Sequence, residues 1–340
     1  MNTGFIIGTH PTNPRLTIVM INQLVIKNFC MQVSDISIQS IEYKPFLRFK
    51  LASILNEATG GTLGKGLRNT LKFRPSGALL IGCETEDYLT LESIERDVFH
   101  VLLSTAIAHL VGLPNLDSMS GKFYARFTVK NEDNSDSYLR KAHRRMELHT
   151  DGTYVDEKTD WVLMQKLSSI NCEGGESLLL HVDDWQDLDK FYNHPLAKQK
   201  IQWGAPASKN VSGKVHHSVF STEKKLPCIS YIDQFAEPIN IEQGLYLNDI
   251  GESLEKDANT SAIHIPSGGI LIINNSFWLH GREKIKPHKN LSRELLRQRG
   301  AFDQTKRSNS KFAGWKASLD PAFVKWRHKD GTVIEGKIKK

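Results

Sequence analysis

Met146-Glu147-Leu148-His149-Thr150-Asp151-Gly152-Thr153-Tyr154-Val155 is the stretch on which the reading of this chain turns. His149 and Asp151 stand two positions apart. On extended backbone side chains alternate, so both point to one face. One offers a neutral nitrogen, the other an anionic oxygen. Much further along, His280 follows an apolar run, Ile270-Leu271-Ile272-Ile273, bounded by Gly269 and Asn274-Asn275. A short apolar run bounded in this way reads as a core strand of a β barrel or sandwich. Gly281 and Arg282 come next, which puts His280 at or just past a strand end. A fold that carries His280 to the His149/Asp151 face completes a set of two imidazoles and one carboxylate. That set leaves positions open on an octahedral metal and is characteristic of non-haem Fe(II) oxygenases.

Downstream runs Ser292-Arg293-Glu294-Leu295-Leu296-Arg297-Gln298-Arg299-Gly300. On a strand, Arg293, Arg297 and Arg299 share one face, and arginine is suited to holding a carboxylate through parallel hydrogen bonds. On a helix, Arg293 and Arg297 form an i,i+4 pair on a solvated surface, and this segment has good helix propensity. Spacing alone leaves both open. The chain holds 13 His, and a His-x-Asp triplet also occurs by chance. The adjacent His216 and His217 face opposite sides of a strand and are poorly placed to chelate one ion. His100 and His109 fall in a helical stretch and read as packing or surface residues.

Thr90 to Val111 keeps a 3.6-residue apolar period, and Gly112 and Pro114 supply the stop. Asp183 to Leu196 reads as a shorter helix with Asp183 or Asp184 as its N-cap. Trp161–Leu167, Ser177–His181, Pro227–Tyr231 and Ile270–Asn274 read as strands, and residues 211–217 as a loop or hairpin insertion. The pattern predicts a mainly β chain with flanking helices, a double-stranded β-helix or jelly roll.

The 340 residues are 39% hydrophobic and 24% charged, enough for one sizeable core. No apolar run approaches the ~20 residues of a membrane helix, and residues 1–15 lack a secretory signal pattern. Four cysteines with no paired or zinc-type spacing read as reduced thiols in a cytoplasm. The net charge of +6 is unevenly spread: residues 305–340 carry ten Lys/Arg against three acids, so the preceding 304 residues carry −1. We therefore divide the chain into an N-terminal tail (1–15), a body (16–304) and a basic extension (305–340). Trp315, Phe323 and Trp326 interleave with the basic residues of that extension, a composition able to bind nucleic acid by phosphate contact and stacking. A solvated or subunit-packing extension is the preferred reading, and nothing in the body points to nucleic acid.

Several long stretches resemble one family: 121–127 (GKFYARF), 131–140 (NEDNSDSYLR), 146–155, 174–181 (GGESLLLH), 231–235 (YIDQF), 271–282 (LIINNSFWLHGR) and 293–300. They are similar to the glutarate-hydroxylating, carbon-starvation-induced family within the clavaminate synthase/taurine dioxygenase group of Fe(II)/2-oxoglutarate oxygenases. The likeness covers roughly residues 15 to 303. It implies that His149, Asp151 and His280 are iron ligands. It implies that Arg293, Arg297 and Ser177 contact 2-oxoglutarate, without saying which arginine holds which carboxylate. Arg299, Arg126 and Tyr124 are candidate contacts for the second dicarboxylate. The implied reaction consumes O₂ and 2-oxoglutarate, hydroxylates glutarate at C2 to L-2-hydroxyglutarate and releases succinate and CO₂, a step of lysine and glutarate breakdown. A homotetramer is implied as well. Thr150 stands where the family leads one to expect Asn, and it faces away from the metal on a strand. Two other readings are the same chemistry on another small acid, and a catalytically silent jelly-roll protein with a nucleic-acid-binding tail.

Overall fold

The computed structural model describes residues 4–83, 94–117, 120–130, 143–205, 213–303, 324–327 and 333–336. In chain order, the first half holds β1 (Phe5–Thr9), β2 (Leu16–Ile21), β3 (Ala78–Cys83), β4 (Leu113–Pro114), β5 (Ala125–Lys130), β6 (Met146–His149), β7 (Trp161–Ile170) and β8 (Ser177–His181). The second half holds β9 (Ile201–Gly204), β10 (Lys214–His217), β11 (Phe220–Glu223), β12 (Leu226–Ile229), β13 (Ala236–Glu237), β14 (Ser261–Ile263), β15 (Ile270–Asn274), β16 (Trp278–Arg282), β17 (Ser292–Ala301), β18 (Val324–Arg327) and β19 (Val333–Gly336). Helices α1 (Gln23–Val33), α2 (Ile38–Tyr43), α3 (Pro45–Ala58), α4 (Leu63–Lys72) and α5 (Arg96–Val111) precede β4, while α6 (Leu188–Tyr192) and α7 (Ile241–Lys256) follow β8.

Two sheets face each other. The major sheet runs β1-β2-β3-β15-β7-β17-β4, with β5 also on β17; the minor sheet runs β14-β8-β16-β6. All these pairings are antiparallel except β2 with β3. Period-two alternation sorts the side chains of the major sheet. Trp161, Leu163 and Leu167 of β7, with Ile270 and Ile272 of β15, turn outward and are covered by α1, α3, α4 and α5. Val162 of β7 and Leu271 and Ile273 of β15 turn the other way, into the cluster that also holds Leu179, the ladder partner of His280 on the minor sheet. The architecture is the expected jelly roll with flanking helices. The functional stretches lie in the space between its sheets.

The strand alternative is the one realised at 292–300: β17 is an interior strand, paired to β7 on one side and to β5 and β4 on the other. Burial overrides helix propensity there, because the strand completes two ladders at once. The helix read from Thr90 begins at Arg96, and residues 90–93 lie outside the described part. The helix expected over 183–196 is corrected. It is a 3₁₀ turn at Val182–Asp184, extended backbone through Trp185 and then the five-residue α6. Asp183 and Asp184 do not cap it, because they are engaged by Arg74 and Arg15. Trp185 is drawn into the core, at 2% exposure, and this breaks the helix. Lys214–His217 pairs with β9, in line with a hairpin insertion. Phe5–Thr9, within the segment read as an N-terminal tail, pairs with β2 at the edge of the major sheet. The basic segment contributes one strand pair, β18 with β19; residues 131–142 and 304–323 lie outside the described part.

Candidate metal centre and its cationic walls

Strand pairing assembles the cluster. His280 of β16 is paired with His149 of β6, and their rings lie 4.3 Å apart between centroids. Asp151 follows two residues later, just off the strand end, with Oδ1 at 3.9 Å from His149 Nε2 and 4.0 Å from His280 Nε2. One ligand atom from each of the three lies within 4.8 Å of the others. His149 Nδ1 is 2.8 Å from the Glu147 carbonyl. Donating there commits that nitrogen and leaves the Nε2 lone pair aimed inward.

Charge states suit a divalent cation. Burial holds the His280 imidazole down to about 3, and His149 beside it acts in the same direction. His280 is therefore neutral near pH 7. Burial alone would raise the Asp151 carboxyl, but Arg297 above all, then His280, Arg299 and His149, outweigh it and keep Asp151 ionised. Arg297 Nη1 lies 3.1 Å from Asp151 Oδ2 without hydrogen-bond alignment, and that buried oxygen has no hydrogen-bond partner among the described residues. Two buried imidazoles, that of His280 held neutral, and one ionised carboxylate are the donor types a divalent metal takes.

The turn carrying Asp151 is fixed from outside, by residues the sequence reading did not single out. Asn275 Oδ1 accepts from the Asp151 backbone N–H at 2.8 Å, and its Nδ2 donates to the Asp151 and Thr159 carbonyls. Thr150 points away from the cluster and exchanges hydrogen bonds with the backbone of Tyr231. Gly152 has φ 84°, and a Cβ there would come within 2.6 Å of Thr159 Oγ1. The signal for Asn275 was present in its stretch, LIINNSFWLHGR, but nothing local says that its amide reaches back 124 residues.

Two groups of cations flank the cluster. Arg297 bridges Asp151 and Asp117 and lies over the Phe127 ring. Arg299, 7% exposed, lies close enough to act on the Tyr154 hydroxyl, and the Tyr154 ring meets Phe235 edge-on. Tyr154 was in the decisive stretch but carried no assigned role. On the other side Arg293, 3% exposed, donates to the Gly175 carbonyl at 3.1 Å. Ser177 of β8, 5% exposed, is paired with Arg282 of β16, two residues beyond His280 on the same strand face. The structure does not bring Arg126 or Tyr124 to this cavity. Arg126 is paired with Leu296 in the ladder, so it shares the opposite face, and it is held by Asp97 and Glu294. Tyr124 donates to Glu42. His216 meets Gln202, and His217 bonds the Thr153 carbonyl; neither joins the metal cluster. A cleft of about 520 Å³ reaches Asp151 from behind, past Thr150 and Gly152, but no arginine of the site lines it.

The chain matches the model of the CsiD family over residues 5–302. It belongs to the CsiD family. Among curated relatives of this CsiD chain, the glutarate 2-hydroxylase of Salmonella typhimurium (strain SL1344) is 48% identical over 302 residues, covering 88% of this chain and 91% of that one. The Citrobacter koseri protein of the same name is 47% identical with the same coverage. In three dimensions the CsiD fold is similar to an asparagine oxygenase solved with Fe(II), 3-hydroxyasparagine and succinate, with a TM-score of 0.67, 14% identity, and 85% and 95% of the two chains covered. It is similar as well to the non-heme iron oxygenase OrfP solved with Fe and alpha-ketoglutaric acid, with a TM-score of 0.62, 13% identity, and 85% and 96% covered. At those identities the likeness establishes the fold, which is that of these iron oxygenases.

Proposed function

We propose that this protein is an Fe(II)- and 2-oxoglutarate-dependent dioxygenase that hydroxylates glutarate at C2, giving L-2-hydroxyglutarate, succinate and CO₂. The observation that carries this is the buried His149/Asp151/His280 cluster with buried arginines on two sides of it. Glutarate as the substrate is supported by 48% identity to proteins named glutarate 2-hydroxylase. His149, Asp151 and His280 would hold the iron. When bound, Fe(II) with 2-oxoglutarate and O₂ supplies the oxidising chemistry.

The protein's own residues do the rest. Arg293 and Ser177 anchor the cosubstrate's far carboxylate. Arg297, Arg299 and the Tyr154 hydroxyl receive glutarate on the other side. Fixed charges in a buried site act strongly and need no reorganisation when the ligand enters. The apolar wall, including Leu179 beside His280 in the ladder, excludes water. The same reading places the protein in the cytoplasm as a homotetramer, with residues 305–340 as an extension outside the catalytic body. Among the described residues no helix is long and apolar enough to cross a membrane.

The test is succinate formation by purified protein with Fe(II), O₂ and 2-oxoglutarate, with glutarate present or omitted. Glutarate should raise succinate release, with one 2-hydroxyglutarate formed per succinate, and Asp151→Ala should abolish it while leaving the fold intact. Faster consumption of taurine, succinate or adipate would keep the oxygenase and remove glutarate as substrate. Near-normal turnover by Asp151→Ala would remove the metal assignment. Elution at four times the 38.4 kDa chain mass in gel filtration with light scattering is the outcome expected for the assembly.

A further inference from the structure

Lys166 is only 6% exposed. It lies on β7, where Val162 and Met164 at the preceding alternate positions face the core between the sheets. Lys166 continues that face. In the ladder it is paired with Leu295 of β17, and Met164 with Arg297, so Lys166 and Arg297 share the inward side. Arg293 stands two positions before Leu295 on β17 and is 3% exposed. Arg293 acts on Lys166, and both act on His264, which, with their shared inward face, marks them as one cluster. Burial first, and Arg293 next, depress the Lys166 ammonium below its ordinary value. Arg282 is a third cation that feels Arg293.

Among the described residues no ion pair joins Lys166 or Arg293 to a carboxylate. Glu176 acts on both, and only from a distance. Arg293 Nε is buried with no hydrogen-bond partner among the described residues. Taking an unpaired ammonium out of water costs several kcal/mol, and two adjacent buried cations repel each other besides. Such a pair is a receptacle for an anion. Its position gives the anion's identity. Arg282, on the wall of this cluster, is two residues from His280 on the same strand face, about 7 Å along the strand. A ligand chelated at the metal therefore reaches Lys166 and Arg293 with the far end of a short diacid.

We propose that Lys166 is a second cationic anchor, beside Arg293, for the carboxylate of 2-oxoglutarate that points away from the metal, and that it sets the requirement for a charged group at that end. This rests on 2-oxoglutarate being the cosubstrate. A charged hydrogen bond contributes about 1.5–3 kcal/mol, which corresponds to roughly 10- to 150-fold in affinity.

The test is binding without turnover: Fe(II)-loaded protein under nitrogen, titrated by calorimetry with 2-oxoglutarate and with 2-oxopentanoate, which carries a methyl in place of the far carboxylate. Wild type should prefer 2-oxoglutarate strongly. Lys166→Met should lose about 10- to 100-fold in 2-oxoglutarate affinity and bind 2-oxopentanoate within twofold of wild type. Ligand-free Lys166→Met should melt no lower than wild type, because a buried charge has been removed. Lys166→Gln, isolated in parallel should the Met variant not fold, is expected to lose the same preference. Equal loss for both ligands, or loss for neither, overturns the anchor role and leaves the cosubstrate reading standing. A wild type that does not bind 2-oxoglutarate overturns both.

Discussion

Asn275 contacts neither imidazole of the cluster, yet it holds the Asp151 backbone through both its amide oxygen and its amide nitrogen. Asn275→Ala leaves one N–H and two carbonyls without their side-chain partner, and each buried orphan costs about 1–3 kcal/mol. Residues that orient a ligand from behind typically change metal affinity by about 10- to 100-fold. We expect Asn275→Ala to fold with a lower melting temperature and to bind Fe(II) or Co(II) within that weaker range, read from the Co(II) absorption spectrum. An unchanged affinity would show that the turn holds without the clamp. The two arginines should separate in kinetics. Arg293→Met should raise the apparent KM for 2-oxoglutarate by about 100-fold or more, since a broken buried charge pair costs roughly 3–5 kcal/mol, with glutarate KM little changed. Arg297→Met should raise the glutarate KM instead. Initial-rate measurements with each substrate varied decide between this assignment and its reverse.

At the scale of the element, the site is made by strand ends and the turn that follows them. β6 and β16 place the imidazoles by ladder pairing, and the chain must then reverse at once for Asp151 to reach them. Gly152, at φ 84°, makes that reversal. Gly152→Ala puts a Cβ into left-handed backbone, costing about 1–2 kcal/mol, and presses it onto Thr159 Oγ1. Urea unfolding should show the loss, and metal affinity should fall with it because the displaced turn carries Asp151. If stability falls while metal binding is untouched, the turn is structural only. β17 makes the other wall. Its inward positions carry Arg297 and Arg299, and its outward positions carry Leu296 and Gln298, which meet the helices. One strand thus serves core and site by alternation alone, and this is why Arg126, paired with Leu296, is excluded from the cavity.

For the whole molecule, the helical layer that backs the major sheet carries a buried histidine with a measurable consequence. His100 of α5 is 1% exposed, and burial, helped by Arg96, lowers it to about 4. The unfolded chain takes up this proton near pH 6.5, before the native state does, so stability falls as pH drops from about 6.5 to about 4 and changes no further from this group below that. The contribution is about 3 kcal/mol at most. His100→Gln should flatten the fall in urea midpoint between pH 7 and pH 4.5 relative to wild type; an unaltered slope would mean that His100 takes up its proton freely in the native protein. The sequence by itself determined the bounded apolar run that becomes β15 and the 3.6-residue period of α5. It determined the ligand types as well, because a His-x-Asp pair on extended backbone shares a face wherever it is placed. It left strand and helix both open at 292–300, since propensity and arginine spacing are local and the deciding term, burial between β7 and β5, is not. The helix expected at 183–196 failed for the same kind of reason, with Trp185 buried at the expense of helical continuity. Only the tertiary structure could seat Asn275 behind Asp151, turn Arg126 away from the cavity and bury Lys166 beside Arg293. These facts join residues more than 100 positions apart, and no pattern along the chain encodes which face of one strand will meet which face of another.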